Sequence, residues 1–194
     1  MAADRQAGGC TVGKGNAKSV LEIVHVTPEF AIGPQISTAD FELLRASGIA
    51  SVLNARPDDE TGTYLVSRDA ERLARASGLA YAHCPSEGHA VFEPEIVDRF
   101  ERALAELPKP VFAHCKTGTR AAILWALVES RRRDVEDVIA TLRAAGQELD
   151  FLEDELRDSA KAVRRSPFQL KDDALLSLGR SRLLGTNRKG PGKG

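Results

Sequence analysis

The sequence predicts an α/β fold, a mainly parallel sheet with helices on both faces, and three observations carry that prediction. Short continuous apolar runs, "IASVLNA", "LAYAHCP" and "PVFAHC", have the length and β-branched or aromatic content of strands buried on both faces. Each is followed by a polar loop and then by a segment with apolar residues at helical spacing. Several of those segments stop at a glycine, the punctuation expected at a helix C-terminus. Strand and helix in alternation imply right-handed crossovers and ligands bound outside the carboxyl ends of the strands.

In chain order, residues 1–18 are Gly-, Ala- and Lys-rich without periodicity and read as a disordered leader. "LEIVHVTPEFAIGPQI" reads as two short strands broken near Pro28, because proline cannot donate to a sheet ladder. "STADFELLRASG" has a Ser/Thr cap, an acid in its first turn and a closing Gly48, so it is a helix. After the strand "IASVLNA" and the loop "RPDDETG" comes a second helix ending at Gly78, then the strand "LAYAHCP". The loop "SEGHAVF" leads to a helix from Glu93 to Leu107 with Pro94 in its first turn. "PVFAHC" is the next strand, with a helix over Ala121 to Arg133 behind it. Asp134 can cap a further helix ending near Gly146, and a last one runs from Glu148 to about Ala162.

One domain over 19–162 therefore accounts for the core, and 163–194 form a basic tail. Residues 160 to 194 hold nine Lys or Arg against two Asp, although the whole chain has a net charge of −1. Lacking interleaved aromatics or a motif, the tail reads as a solvated extension whose partner is unknown, and no nucleic acid is expected. Composition, 42% apolar and 28% charged, is that of a globular domain. No apolar run reaches the ~18 residues of a membrane span, and the N-terminus has no apolar signal core. The expected location is the cytoplasm, without a membrane partner. Cys10, Cys84 and Cys115 are too few and too odd in number for a disulfide framework.

The chemistry concentrates in "HCKTGTRAA". A strand end, a Gly-containing turn and a helix N-terminus make an anion site, with the backbone N–H groups of Lys116, Thr117, Gly118, Thr119 and Arg120 turned inward and the helix dipole adding positive charge. Such surroundings favour Cys115 as a nucleophile. Arg120 can clamp two oxygens of a tetrahedral anion beside the sulfur. The plainer alternative is an inert buried cysteine with a solvated arginine, but Cys, Gly and Arg on one strand-loop-helix favour the anion-handling thiol.

"AIGPQIS", "VLNARPDDE", "LAYAHCP" and "PVFAHCKTGTRAAILWAL" follow in an order and spacing that resemble the beta-lactamase hydrolase-like family. The resemblance covers about Ile23 to Gly146 and implies a dual-specificity phosphatase-like fold. It also implies one of two activities, phosphatase or sulfurtransferase. Phosphatases of that fold carry one residue more between cysteine and arginine than the four found here, whereas rhodaneses carry the same number. They also take a general acid from an aspartate in the loop after the preceding strand, and "PSEGHAVFEPE" has none.

Loop size and the missing Asp lead to an expected sulfurtransferase. Cys115 attacks the outer sulfur of thiosulfate or of a persulfide such as glutathione persulfide, sulfite or a thiol leaves, and a thiol acceptor such as glutathione removes the sulfur. A Cys115 phosphocysteine hydrolase is the alternative, and a non-catalytic anion-sensing or partner-binding module the second. No metal or organic cofactor is required. His83-Cys84 and His114-Cys115 are poor zinc pairs, since neighbours on a strand point to opposite faces.

Asn54, Arg56 and Asp58 match the family's "N-x-R-P-D" stretch and border the site by position; Arg56 helps attract the anion, or else Arg56 and Asp58 brace the turn around Pro57. Glu87, His89 and Asp58 are candidate substitutes for the absent acid. Cys84, on a strand expected to neighbour that of Cys115, is a candidate resolving thiol provided the two Cα atoms lie within about 7 Å. His114 is expected to pack beneath the loop and Trp125 to lie in the core.

Overall fold

The computed structural model describes residues 21–62 and 64–164. The expected leader, Cys10 and most of the basic tail lie outside the described residues, so the limits 19–162 stay an expectation. Five strands form one sheet: β1 (Val24–Thr27), β2 (Phe30–Gly33), β3 (Ser51–Asn54), β4 (Ala80–His83) and β5 (Val111–His114). Their spatial order is β1-β2-β5-β3-β4. β1 and β2 form an antiparallel hairpin around Pro28, and the β2–β5, β5–β3 and β3–β4 pairs are parallel. The expected α/β class is therefore observed, with β1 as an antiparallel edge.

Helices α1 (Asp40–Ala46) and α2 (Ser67–Ala76) cover one face; α3 (Pro94–Glu106), α4 (Thr119–Glu129), α5 (Val135–Ala144) and α6 (Glu153–Arg164) cover the other. The period-2 alternation of the strands assigns residues to the two layers. Val52 and Phe112 pack with Phe41 and Leu44 of α1, while Leu53, Val111 and Ala113 pack with Phe100 and Leu124 beyond the other face. Burying each such Leu or Phe side chain contributes about 1.5–3 kcal/mol.

Two differences from the sequence reading have physical reasons. β4 is an edge strand whose residues are all half-buried, not a second fully buried strand, because only β3 pairs with it. α4 begins at Thr119, two residues earlier than expected, so Arg120 lies within its first turn. α4 is buried nearly all round, between the sheet and α3, α5 and α6, which is why it is apolar on every side. Phe30 and Trp125 stack there with centroids 5.7 Å apart.

Candidate active site

β5 ends at His114 and delivers Cys115 to the carboxyl edge of the sheet, buried at 1% exposure. Gly118 then takes a left-handed conformation, φ 99°, as the residue preceding α4. A Cβ there would be strained and would meet the Gly33 carbonyl oxygen at 3.1 Å, so the turn needs glycine. With that geometry the Gly118 N–H donates to Cys115 Sγ at 3.2 Å. The sulfur thus faces the helix end where backbone N–H groups have no intrahelical partner.

The end of β2 buttresses this loop from the side. The Gln35 N–H donates to the Lys116 carbonyl at 3.2 Å, and a side chain on Gly33 would collide with the Phe112 ring and the Glu22 carbonyl at 2.6 Å. The side chains of Lys116, Thr117 and Thr119 are exposed, with Thr117 Oγ1 donating to Thr119 Oγ1 at 3.2 Å. The Gly118 backbone N–H, not one of these side chains, makes the hydrogen bond to the sulfur.

Arg120 gathers the loops that follow β3 and β4. Its Nη1 donates to the Ser86 carbonyl at 2.9 Å and, at 3.5 Å, to that of Ala55; its Nη2 donates to Glu60 Oε2 at 3.0 Å. Glu60 Oε2 also lies 3.7 Å from Arg56 Nε. Arg56 is buried, donating through Nη1 to Gln35 Oε1 and through Nη2 to the Thr61 carbonyl, each at 3.2 Å, with its guanidinium 3.7 Å over the Tyr64 ring. Arg56 therefore belongs to the same charged cluster as Arg120, joined to it through Glu60. Sequence reasoning missed Glu60, Ser86, Gln35 and Gly33; Ser86 carries no local signal, whereas "VLNARPDDE" contains Glu60 and "AIGPQIS" contains the other two.

The remaining expected residues divide. Asn54 is buried and shapes the loop, its Oδ1 accepting from the Arg56 N–H at 2.9 Å and its Nδ2 donating to the Tyr81 hydroxyl at 2.9 Å. Burial pushes the Tyr81 hydroxyl up to about 12. Asp58 braces its turn instead of facing Cys115: both its oxygens are taken by Ser67, from the N–H at 2.8 Å and from Oγ at 2.5 Å. Slight burial pulls its carboxyl upward, but the two Ser67 hydrogen bonds outweigh that and hold it below the usual value. Glu87 and His89 are exposed and pair with each other at 3.3 Å.

Cys84 is not placed to be a resolving thiol. β3 lies between β4 and β5, with Asn54 in register with both His83 and His114. Two strand spacings amount to about 9.5 Å, beyond the roughly 7 Å a disulfide spans. Both cysteines are free and buried, and burial pushes the Cys84 thiol up. His114 is a packed residue, as expected, fully buried and stacked on Phe112 at 6.3 Å. Burial lowers it to about 4; the Cys115 backbone opposes this in part, at a geometry short of a hydrogen bond, and both ring nitrogens lack a partner. Cys115 and Cys84 face the α4 side of the sheet, away from Phe112 and His114. Among the described residues no three His, Cys, Asp or Glu side chains are grouped to hold a metal. A cavity of about 490 Å³ lined by Glu29, Lys109 and Trp125 lies at the opposite end of β2 and β5 from the thiol loop. No described helix is long and apolar enough to cross a membrane.

A mainly parallel sheet that ends one strand in Cys115, with a glycine turn and Arg120 in the first turn of the next helix, is the framework of a phosphatase-like domain. Residues 22–132 match the family described as beta-lactamase hydrolase-like protein, phosphatase-like domain, and the chain belongs to that family. A beta-lactamase hydrolase-like protein of Agrobacterium fabrum strain C58 is 37% identical over 122 residues, which are 60% of this chain but 28% of that protein. The chain thus matches little more than a quarter of that relative's length. Among solved structures, a candidate phosphatase from Neisseria meningitidis Z2491 superposes with a TM-score of 0.63 at 25% identity, over 71% of this chain and 97% of that one. A candidate phosphatase from Shewanella putrefaciens CN-32 superposes at 0.55 with 19% identity, over 75% and 95%, a likeness of fold alone.

Proposed function

We propose that the chain is a cysteine-dependent hydrolase of phosphate monoesters, acting through a phosphocysteine on Cys115. The observation that carries this reading is the Gly118 N–H aimed at Cys115 Sγ from the head of α4, with Arg120 in the same turn. Cys115 thiolate forms a bond to phosphorus while the bond to the leaving oxygen breaks, and the loop amides and Arg120 hold the other phosphoryl oxygens. Water then attacks phosphorus, the S–P bond breaks, and inorganic phosphate leaves with thiolate restored.

This order reverses the expectation from loop size. Family membership favours a phosphatase-like chemistry. Loop size also counts for less, because Arg120 extends from α4 on a long side chain that reaches Ser86 and Glu60, so the four intervening residues do not set the width alone. Asp58 is ionised and occupied by Ser67, and Glu87 and His89 are exposed. That set favours substrates whose leaving oxygen departs without a strong acid, such as aryl or acyl phosphates.

Sulfur transfer is the second reading, favoured by the four-residue spacing between Cys115 and Arg120 and by the same shortage of a placed acid. The discriminating experiment offers a small aryl phosphate, and separately thiosulfate with cyanide or glutathione, to wild type and Cys115→Ser protein. Cys115-dependent phosphate release is expected. Release of sulfite from thiosulfate, with one added sulfur on Cys115 by mass spectrometry and no ester turnover, would overturn it in favour of sulfur transfer.

A further inference from the structure

We infer that Glu60 is an internal anion seated between Arg56 and Arg120, which substrate must displace, and that the seat selects dianionic tetrahedral groups over monoanions. The inference rests on the proposed role of Arg120 as the oxyanion clamp and adds to it the identity of what competes for that clamp.

One oxygen of Glu60 serves both guanidinium groups, at 3.0 Å from Arg120 Nη2 and 3.7 Å from Arg56 Nε. Each guanidinium is anchored on its other edge by neutral acceptors: Arg120 by the Ser86 carbonyl, Arg56 by Gln35 and the Thr61 carbonyl. Neutral acceptors fix position without cancelling charge. Two positive charges, with side chains only 6% and 15% exposed, therefore share one carboxylate. Arg56 Nε is moreover buried without a hydrogen-bond partner, since 3.7 Å is too long for one. Leaving a buried donor unpaired is costly, and a ligand oxygen placed between the two groups removes that cost.

A monoanion replaces Glu60 charge for charge and gains little. A dianionic phosphoryl group brings the second negative charge that the arginine pair lacks, so it displaces Glu60 favourably. The loop allows this, because the Glu60 side chain is 22% exposed on a surface turn beside exposed Asp58, Asp59, Thr61 and Gly62, and needs only a rotamer change to reach water. Asp58, tied to Ser67, keeps the neighbouring backbone in place meanwhile. Phosphate monoesters fit this seat, and phosphodiesters, with one negative charge, do not.

The test measures binding of inorganic phosphate, sulfate and acetate to Cys115→Ser protein by calorimetry near pH 8, and repeats it with Glu60→Gln and Glu60→Ala added. Removing the competing charge is expected to tighten phosphate and sulfate about tenfold in both variants and to tighten acetate as well, with phosphate and sulfate bound more tightly than acetate in every protein. Unchanged or weaker binding in the Glu60 variants would overturn the inference, because the carboxylate would then be holding Arg120 in place. Failure of every protein to take up phosphate or sulfate would overturn it too. Melting curves with and without sulfate confirm that each variant is folded. The hydrolase reading is judged apart, by Cys115-dependent turnover. In protein with Cys115 intact, Glu60→Gln is expected to lower KM severalfold.

Discussion

Cys115 Sγ and the N–H of Gly118 lie 3.2 Å apart, and the left-handed backbone of Gly118 is what brings them together. Replacing Gly118 by alanine puts a Cβ in an unfavourable φ region and 3.1 Å from the Gly33 carbonyl. Gly118→Ala is expected to cost about 2 kcal/mol of stability and most of the activity. Gly146→Ala, at φ 75° with nothing within 4 Å, is the control: it should lose about 1 kcal/mol and leave turnover unchanged. Urea unfolding and aryl phosphate assays compare the two.

Loss of the nucleophile and of the clamp should differ in kind. Cys115→Ser is expected to abolish turnover while retaining oxyanion binding. Arg120→Lys keeps the charge but loses the planar fork that spans Ser86 and Glu60, and should lower kcat/KM about 100-fold. Steady-state kinetics with phosphate binding on the same proteins decides it; an Arg120→Lys enzyme as active as wild type would remove the clamp from the reaction.

His114 predicts the acid limb of the stability curve. Its folded value near 4 lies below the ordinary 6.5, so between those values the unfolded chain binds the extra proton. Its contribution is complete above pH 6.5 and is lost as pH falls toward 4, on the order of 3 kcal/mol in total. His114→Leu should flatten that part of the curve, measured by urea unfolding across the range. An unaltered slope would show that other groups cause it.

Cys84 should be dispensable for chemistry. With β3 between its strand and that of Cys115, Cys84→Ala is expected to keep activity within about a factor of two and to lose about 1 kcal/mol through the space vacated. Peptide mapping after mild oxidation should find no Cys84–Cys115 disulfide.

The strands, the helices and the thiol loop were legible because their signals are local: apolar runs, helical spacing and stop glycines lie within a few residues of what they specify. The α/β class and the meeting of Cys115 with Arg120 on one strand-loop-helix are thus determined by the sequence itself. Strand order is a different matter, since β4 is cut off from β5 by the insertion of β3, and no local pattern states that. Asp58 likewise reads as a candidate acid until Ser67, nine residues on, takes both its oxygens. The Glu60–Arg120 contact joins residues 60 apart, and Ser86 meets Arg120 across 34. Only the tertiary structure decides such pairings, because they depend on which loops a shared sheet edge brings within reach of a long side chain, and on burial that strengthens charges water would otherwise screen.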